Sequence, residues 1–199
     1  LQVRVCGWNE YFVKLSKVKQ DMFIKQCEVS NMKIEIYPLD KVVFDGVPVC
    51  LGVERSAVEN AIGVGQLIGK RYYHYNNELA IDYNENGTVE FIEFLGGVEG
   101  SLQPTIYGVS AFGTDAEELA ELLKQKNDGE IADTEQGYSY SFSNISVGVY
   151  REIRPSDVLE MIEAMKAYGI PTENNEDLAA DMRRANHWAT IGVGVAGYY

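Results

Sequence analysis

Residues 71–94, RYYHYNNELAIDYNENGTVEFIEF, decide the fold: apolar and aromatic residues alternate with polar ones, and Asn76-Asn77 and Asn86-Gly87 interrupt them twice. Alternation with a period of two marks half-buried strands, and paired Asn or Asn-Gly between such runs marks tight hairpin turns. The stretch therefore predicts three antiparallel strands, the third running from Thr88 to Phe94. Turning at Asn76-Asn77 sets the register. Tyr75 then faces Glu78, Tyr73 faces Ala80 and Arg71 faces Asp82 on one side, with Tyr72 against Ile81 and His74 against Leu79 on the other. Leu79, Ile81 and Tyr83 form the expected core side. The opposite side carries Tyr73, Tyr75, Glu78 and Asp82; the third strand holds Glu90 and Glu93, whose spacing of three suits a shared face less well.

Working outward, YSYSFSNISVGVY (138–150) repeats the pattern. A turn at Ser143-Asn144 places Tyr138, Tyr140 and Phe142 on one face with Ile145, Val147 and Val149. Upstream, MKIEIYPLDKVVFDGVPVCLG (32–52) reads as strand, turn and strand, with Asp45-Gly46 as the turn. Residues 2–15 suggest an early strand or hairpin. Ser56-Ala-Val-Glu59 and Thr114-Asp-Ala-Glu117 have capping-box spacing and predict two helix starts, the first helix ending near Gly63. Leu119, Leu122 and Leu123 form the buried stripe of the second. A third helix is expected from near Ser156 to Gly169, with Val158, Ile162 and Met165 inward, and a polar fourth over residues 174–188. The closing stretch ATIGVGVAGYY is glycine-rich but strand-like and is expected at a sheet edge or in the core.

Helices interspersed with hairpins predict an α+β fold, an antiparallel sheet with flanking helices. Residues 1–199 are expected to form a single compact domain. Within it, 34–97 and 104–168 share an order of Ile-Tyr strand, capped helix and tyrosine-rich hairpin, which suggests two related units; a C-terminal helix and strand fill 175–199.

Net charge is −13, unevenly spread. Residues 1–33 hold six Lys or Arg against three acids, so the remainder carries −16. From Tyr72 to Leu123 there is no Lys or Arg and there are ten acids. Such a field disfavours nucleic acid and anionic lipid and favours basic partners. Apolar runs fall short of the roughly 20 residues that span a bilayer. No basic segment followed by a hydrophobic stretch opens the sequence, so no signal peptide is expected within it; a start at Leu1 rather than Met is compatible with a trimmed leader. Cys6, Cys27 and Cys50 have no metal-ligand spacing and suggest free thiols in a cytoplasmic protein.

Motifs for chemistry are sparse. GVGQLIG (63–69) has the wrong spacing for a dinucleotide loop and follows a helix, so Gly63 is expected to end that helix. His74 falls on the apolar face and His187 at a helix end; two histidines predict no metal site, and no cofactor is expected. Glu78 with Asp82, or Glu90 with Glu93, could serve as a hydrolytic carboxylate pair, and a Cys-His nucleophile pair is a second enzymatic possibility. Exposed tyrosine beside carboxylate suits cationic side chains better, through salt bridges and cation–π contacts. Tyr73, Tyr75, Glu78, Asp82, Glu90 and Glu93 are therefore the candidate partner-binding residues, with no catalytic residue assigned.

An acidic, cysteine-poor α+β chain without catalytic motifs, ending in TIGVGVAGYY, resembles the immunity proteins of bacterial polymorphic-toxin and contact-dependent inhibition systems. That resemblance implies a cytoplasmic protein that binds a cognate, often basic, toxin and blocks it inside the producing cell. A small hydrolase and an acidic adaptor are the alternatives.

Overall fold

The computed structural model describes residues 2–5, 8–11, 16–21, 29, 31–133 and 135–199. In chain order the strands are β1 (Gln2–Val5), β2 (Trp8–Tyr11), β3 (Ile34–Tyr37), β4 (Lys41–Phe44), β5 (Val47–Cys50), β6 (Gln66–Ile68) and β7 (Arg71–His74). They continue with β8 (Leu79–Tyr83), β9 (Val89–Phe94), β10 (Thr105–Ile106), β11 (Val109–Ser110), β12 (Ser139–Phe142), β13 (Val147–Tyr150) and β14 (Thr190–Gly194). Residues 17–21 are helical, and the helices that follow are α1 (Arg55–Ile62), α2 (Ala116–Asn127), α3 (Pro155–Ala167) and α4 (Glu176–Ala185), with a short 3-10 turn at residues 97–99. The fold is α+β. β1 and β2 make a hairpin of their own, five strands make a second sheet in the order β11-β10-β3-β4-β5, and seven make a third, β12-β13-β14-β9-β8-β7-β6.

The seven-stranded sheet is antiparallel throughout, and its alternation produces rows of side chains that cross the whole sheet. One row runs Leu67, Tyr72, Ile81, Ile92, Val193, Val147, Phe142; the next runs His74, Leu79, Phe94, Ile191, Val149, Tyr140. Both are apolar apart from the Tyr and His polar groups; Ile81 to Phe142 of the first and Leu79 to Val149 of the second are buried, while Leu67 at the sheet's edge is exposed. Against them pack Ile34, Ile36, Val42, Phe44 and Val49 of the five-stranded sheet, with Leu119 and Leu123 of α2, in one continuous core. Phe44 touches Phe94 across the two sheets, ring centroids 6.2 Å apart.

The register expected for the 71–83 hairpin is the one found: Tyr72 opposite Ile81, Tyr73 opposite Ala80, His74 opposite Leu79. Asn76 and Asn77 both take positive φ, 55° and 69°, as a tight turn matching strand twist requires. The second hairpin differs. Phe142 pairs with Val147 rather than Ile145, because the turn spans four residues, 143–146. A shift of two positions leaves every side chain on its expected face, since the pleat repeats every two residues. The 32–52 stretch forms three strands instead of two, Asp45-Gly46 joining the last pair.

Two helix starts are corrected, and the third falls near Ser156 as expected. α1 begins at Arg55 with Glu54 at its N-cap and no side-chain cap, so Ser56 lies inside the helix. Asp115, not Thr114, caps α2, accepting from the Glu117 and Glu118 amides. α3 starts at Pro155, and Asp157 reaches back to the Arg154 amide at 2.8 Å. The sheets are also not purely antiparallel: β10 runs parallel to β3, with Ile106 opposite Ile36. The tail strand β14 lies inside its sheet, between β13 and β9, with Ile191 and Val193 in the core, the second of the two places expected for it.

α4 ends at a buried polar junction. Arg151 is 4% exposed; it donates to the Gly137 and Ala185 carbonyls and to Glu117 Oε1, and covers the buried Trp188 ring. The Trp188 indole N–H donates to the Ala116 carbonyl at 2.9 Å, tying the start of α2 to the start of β14.

Candidate partner-binding face

The outer face of the seven-stranded sheet is built from the alternate residues of the same strands. One row reads Gln66, Tyr73, Ala80, Glu93, Gly192, Gly148, Ser141. Beside it lie Ile68 opposite Arg71, and Asp82 opposite Phe91, which in turn faces Gly194. Arg71 sits between two carboxylates. Its Nε donates to Asp82 Oδ1 at 2.8 Å and its Nη1 to Glu93 Oε2 at 2.7 Å. Burial works against the Arg71 charge, but those two hydrogen bonds outweigh it and hold its pKa above the ordinary value. Nη2 of the same guanidinium is buried without a partner among the described residues.

The chain's last residues fold back over this face. The Val195 amide donates to the Glu90 carbonyl, and Ser146 Oγ donates to the Val195 carbonyl at 2.7 Å. Tyr198 stacks on Phe91, centroids 4.3 Å apart and planes 6° from parallel, while Tyr199 meets both rings edge-on. The glycines exist for these rings. A Cβ on Gly148 would lie 2.1 Å from the Tyr199 hydroxyl, one on Gly192 would lie 2.2 Å from Phe91 Cζ, and one on Gly194 would lie 2.6 Å from Tyr198 Cβ. No L side chain fits there without moving the rings.

Charge gathers around the stacked rings. Burial raises the Tyr198 pKa, and the carboxylates of Asp82, Glu90 and Glu93 raise it further against the opposing Arg71. Tyr199 is pushed above the ordinary tyrosine range, by burial first and then by Glu93. Three carboxylates against one guanidinium leave this patch two negative charges in surplus, beside a ring that is 38% exposed.

Of the six residues expected to form a partner surface, four belong here. Tyr73 is half-buried in the outer row, Asp82 and Glu93 hold Arg71, and Glu90 accepts the Val195 amide through its carbonyl while its charge acts on Tyr198. Two do not. Tyr75 takes a positive φ of 50°, which turns its ring inward to stack on Phe44 at 6.2 Å, against the core. Glu78 Oε2 accepts the Leu102 amide at 2.7 Å and lies against Gly96, where it fastens the 96–102 loop. Glu78 and Asp82 are thus committed to different partners and do not form a catalytic pair. Phe91, Tyr198 and Tyr199 were not anticipated. Their signal is present in the sequence: glycine at alternate positions of a strand, 192 and 194, marks a face pressed by another group, and Tyr198-Tyr199 follows at once.

His74 is buried on the inner face, where desolvation lowers its pKa. His187 Nδ1 lies 3.1 Å from the Thr114 carbonyl at the end of α4. Cys50 is a free thiol, and Cys6 and Cys27 lie outside the described residues. One cleft of about 190 Å³ is lined by Glu99, Glu152, Arg184 and Trp188, and a shallower one of about 420 Å³ by Arg55, Tyr72 and Tyr83; neither contains His74, His187 or Cys50. No group of three His, Cys, Asp or Glu among the described residues is arranged to hold a metal. No helix among them is long and apolar enough to cross a membrane. Comparison of the chain with protein-family models, with curated proteins and with solved structures finds no match.

Proposed function

We propose that this protein is a binding protein of the immunity type, which occupies and neutralises a basic cognate toxin through the outer face of its seven-stranded sheet. The observation that carries the proposal is the Asp82–Arg71–Glu93 ion cluster lying against the Phe91–Tyr198 stack on the outer face, with the Tyr198 ring left exposed. Fixed carboxylates beside an aromatic face form a receptor for Lys or Arg side chains, which gain both ion pairing and cation–π contact. The surrounding field has the same sign: the chain carries −13 overall. A field of that size accelerates encounter with a basic protein, and an inhibitor needs fast association. In this reading the protein acts by steric and electrostatic occlusion and performs no chemistry. An acidic adaptor would use the same surface and differ only in its partner.

The direct test is capture from a lysate of the source cell at low and high salt, with bound proteins identified by mass spectrometry. The proposal expects one stoichiometric basic protein whose own toxic activity is abolished by stoichiometric addition of this chain. A basic partner that stays active when bound would leave the adaptor reading. Absence of any partner at either salt would overturn both.

A further inference from the structure

β6 is the last strand of the seven-stranded sheet, and among the described residues nothing pairs with its outer edge. All three of its residues are exposed. Leu67 is 56% exposed, Ile68 46%, and Val64 just before them 81%. Edge strands present unpaired backbone N–H and C=O groups, and proteins ordinarily guard them with charges, proline, bulges or a covering element. The stretch from Gly63 to Gly69 holds no charged residue and no proline. It is held in place, moreover. Positive-φ glycines bracket it, φ 88° at Gly63 and 65° at Gly69, and a Cβ at Gly65 would lie 2.5 Å from the His74 ring. An unguarded, apolar, well-positioned edge is a template for one more strand.

The identity of that strand follows from what borders it. Gln66 and Ile68 project on the same side as Tyr73 and Arg71, which places β6 at the margin of the Asp82–Glu90–Glu93 patch. A strand added outside β6 would turn alternate side chains towards that acidic face and the others towards Leu67. A second copy of this chain is a poor occupant, since each copy brings a charge of −13. We infer that β6 pairs with an extended segment of the basic partner, apolar and cationic residues alternating along it, so that recognition is by strand addition beside the acidic face. This rests on the proposed binding function and specifies the form its partner takes. Main-chain hydrogen bonds then supply affinity and the alternating side chains supply selectivity.

Three probes separate the possibilities: a short peptide alternating Val and Lys, one of equal length and charge alternating Gly and Lys, and the captured basic partner itself. Binding is read by fluorescence anisotropy, and the edge by amide hydrogen exchange over residues 64–69. The Val–Lys peptide should bind roughly tenfold or more tightly than the Gly–Lys peptide and slow exchange at 66–68. Leu67→Asp is the decisive variant, because it adds negative charge while disfavouring strand pairing. It should weaken the Val–Lys peptide and the partner by roughly tenfold, whereas purely electrostatic binding would be strengthened. Leu67→Pro should do the same if it folds, as judged by circular dichroism. Equal binding of both peptides, tighter binding by Leu67→Asp, or no change in exchange at 66–68 would each overturn the inference. So would strong protection of these amides in the free monomer, which would mean that the chain fills its own edge. A dimer in sedimentation that Leu67→Asp dissociates would give the edge to a second copy instead. The two levels fail separately. A partner lost by Glu90→Lys but indifferent to Leu67→Asp keeps the binding function without the edge; a partner lost by Leu67→Asp alone keeps the edge without the acidic face.

Discussion

Replacing Arg71 by methionine should destabilise the protein by about 2–3 kcal/mol. Two charge-assisted hydrogen bonds, at 2.8 and 2.7 Å, are lost, each contributing roughly 1.5–3 kcal/mol when well buried. Here the side chains are only partly so: Arg71 is 28% exposed, Asp82 25% and Glu93 18%, and water screens a share of that sum. The substitution also removes the buried Nη2 that has no partner among the described residues, whose desolvation costs the native protein about 1–2 kcal/mol. Against this, Asp82 and Glu93 are left as like charges without their shared cation. Urea unfolding at neutral pH measures the net effect. The triple variant Arg71→Met, Asp82→Leu, Glu93→Leu should lose less than Arg71→Met alone, because removing a whole buried ion cluster costs less than orphaning its members. A single variant within about 0.5 kcal/mol of the parent, or a triple variant worse than the single, would refute the reasoning.

Three further outcomes follow from other parts of the molecule. Gly192→Ala, which drives a methyl to 2.2 Å from the buried Phe91 ring, should cost about 2–3 kcal/mol by overpacking, and adding Phe91→Leu should recover part of it in the same unfolding assay. Tyr75→Ala should cost about 1–2 kcal/mol through its lost packing on Phe44 yet leave partner affinity unchanged; a loss of affinity without a loss of stability would return Tyr75 to the binding face. Hydrogen bonds from Arg154, helped by the Arg154 amide and the Tyr138 hydroxyl, hold the Asp157 carboxyl well below the usual carboxylate range. Its contribution is therefore complete above the unfolded value of about 3.9 and declines as pH falls towards the folded one. The stability gap between the parent and Asp157→Asn should be constant at neutral pH and narrow below about pH 4, with a pH-independent gap contradicting the assignment.

Local periodicity made the strands legible. Asn76-Asn77 set the register of the first central hairpin because few residues adopt positive φ, Gly87 supplied the positive φ of the next turn, where the pairing shifts at Asp82/Tyr83, and the alternation of 79–83 fixed which side is buried. What periodicity could not supply was the conformation of single residues. Tyr75 was placed with Tyr73 by parity, but its own left-handed backbone breaks the parity and sends the ring to the core. Glu78 was lost to the surface for a different reason: its acceptor role depends on the 96–102 loop, more than twenty residues away along the chain. The capping boxes misplaced the helix starts by one or two residues because the spacing of Ser, Thr and Glu is permissive, and Asp115 was available next to Thr114. The place of β14 between β13 and β9 and the tail lying over the sheet are long-range pairings, invisible to a local pattern, although the spacing of Gly192 and Gly194 recorded the outcome.

The most direct test of the account compares association of the captured basic partner with the parent protein and with the double variant Glu90→Lys, Tyr198→Ala, by stopped-flow across a range of salt. Both substitutions leave the Arg71 cluster intact. The account predicts slower association, a shallower dependence on ionic strength and affinity weakened by roughly tenfold or more in the double variant. Identical rates and an identical salt slope would show that the partner docks elsewhere, and would remove this face as the binding surface.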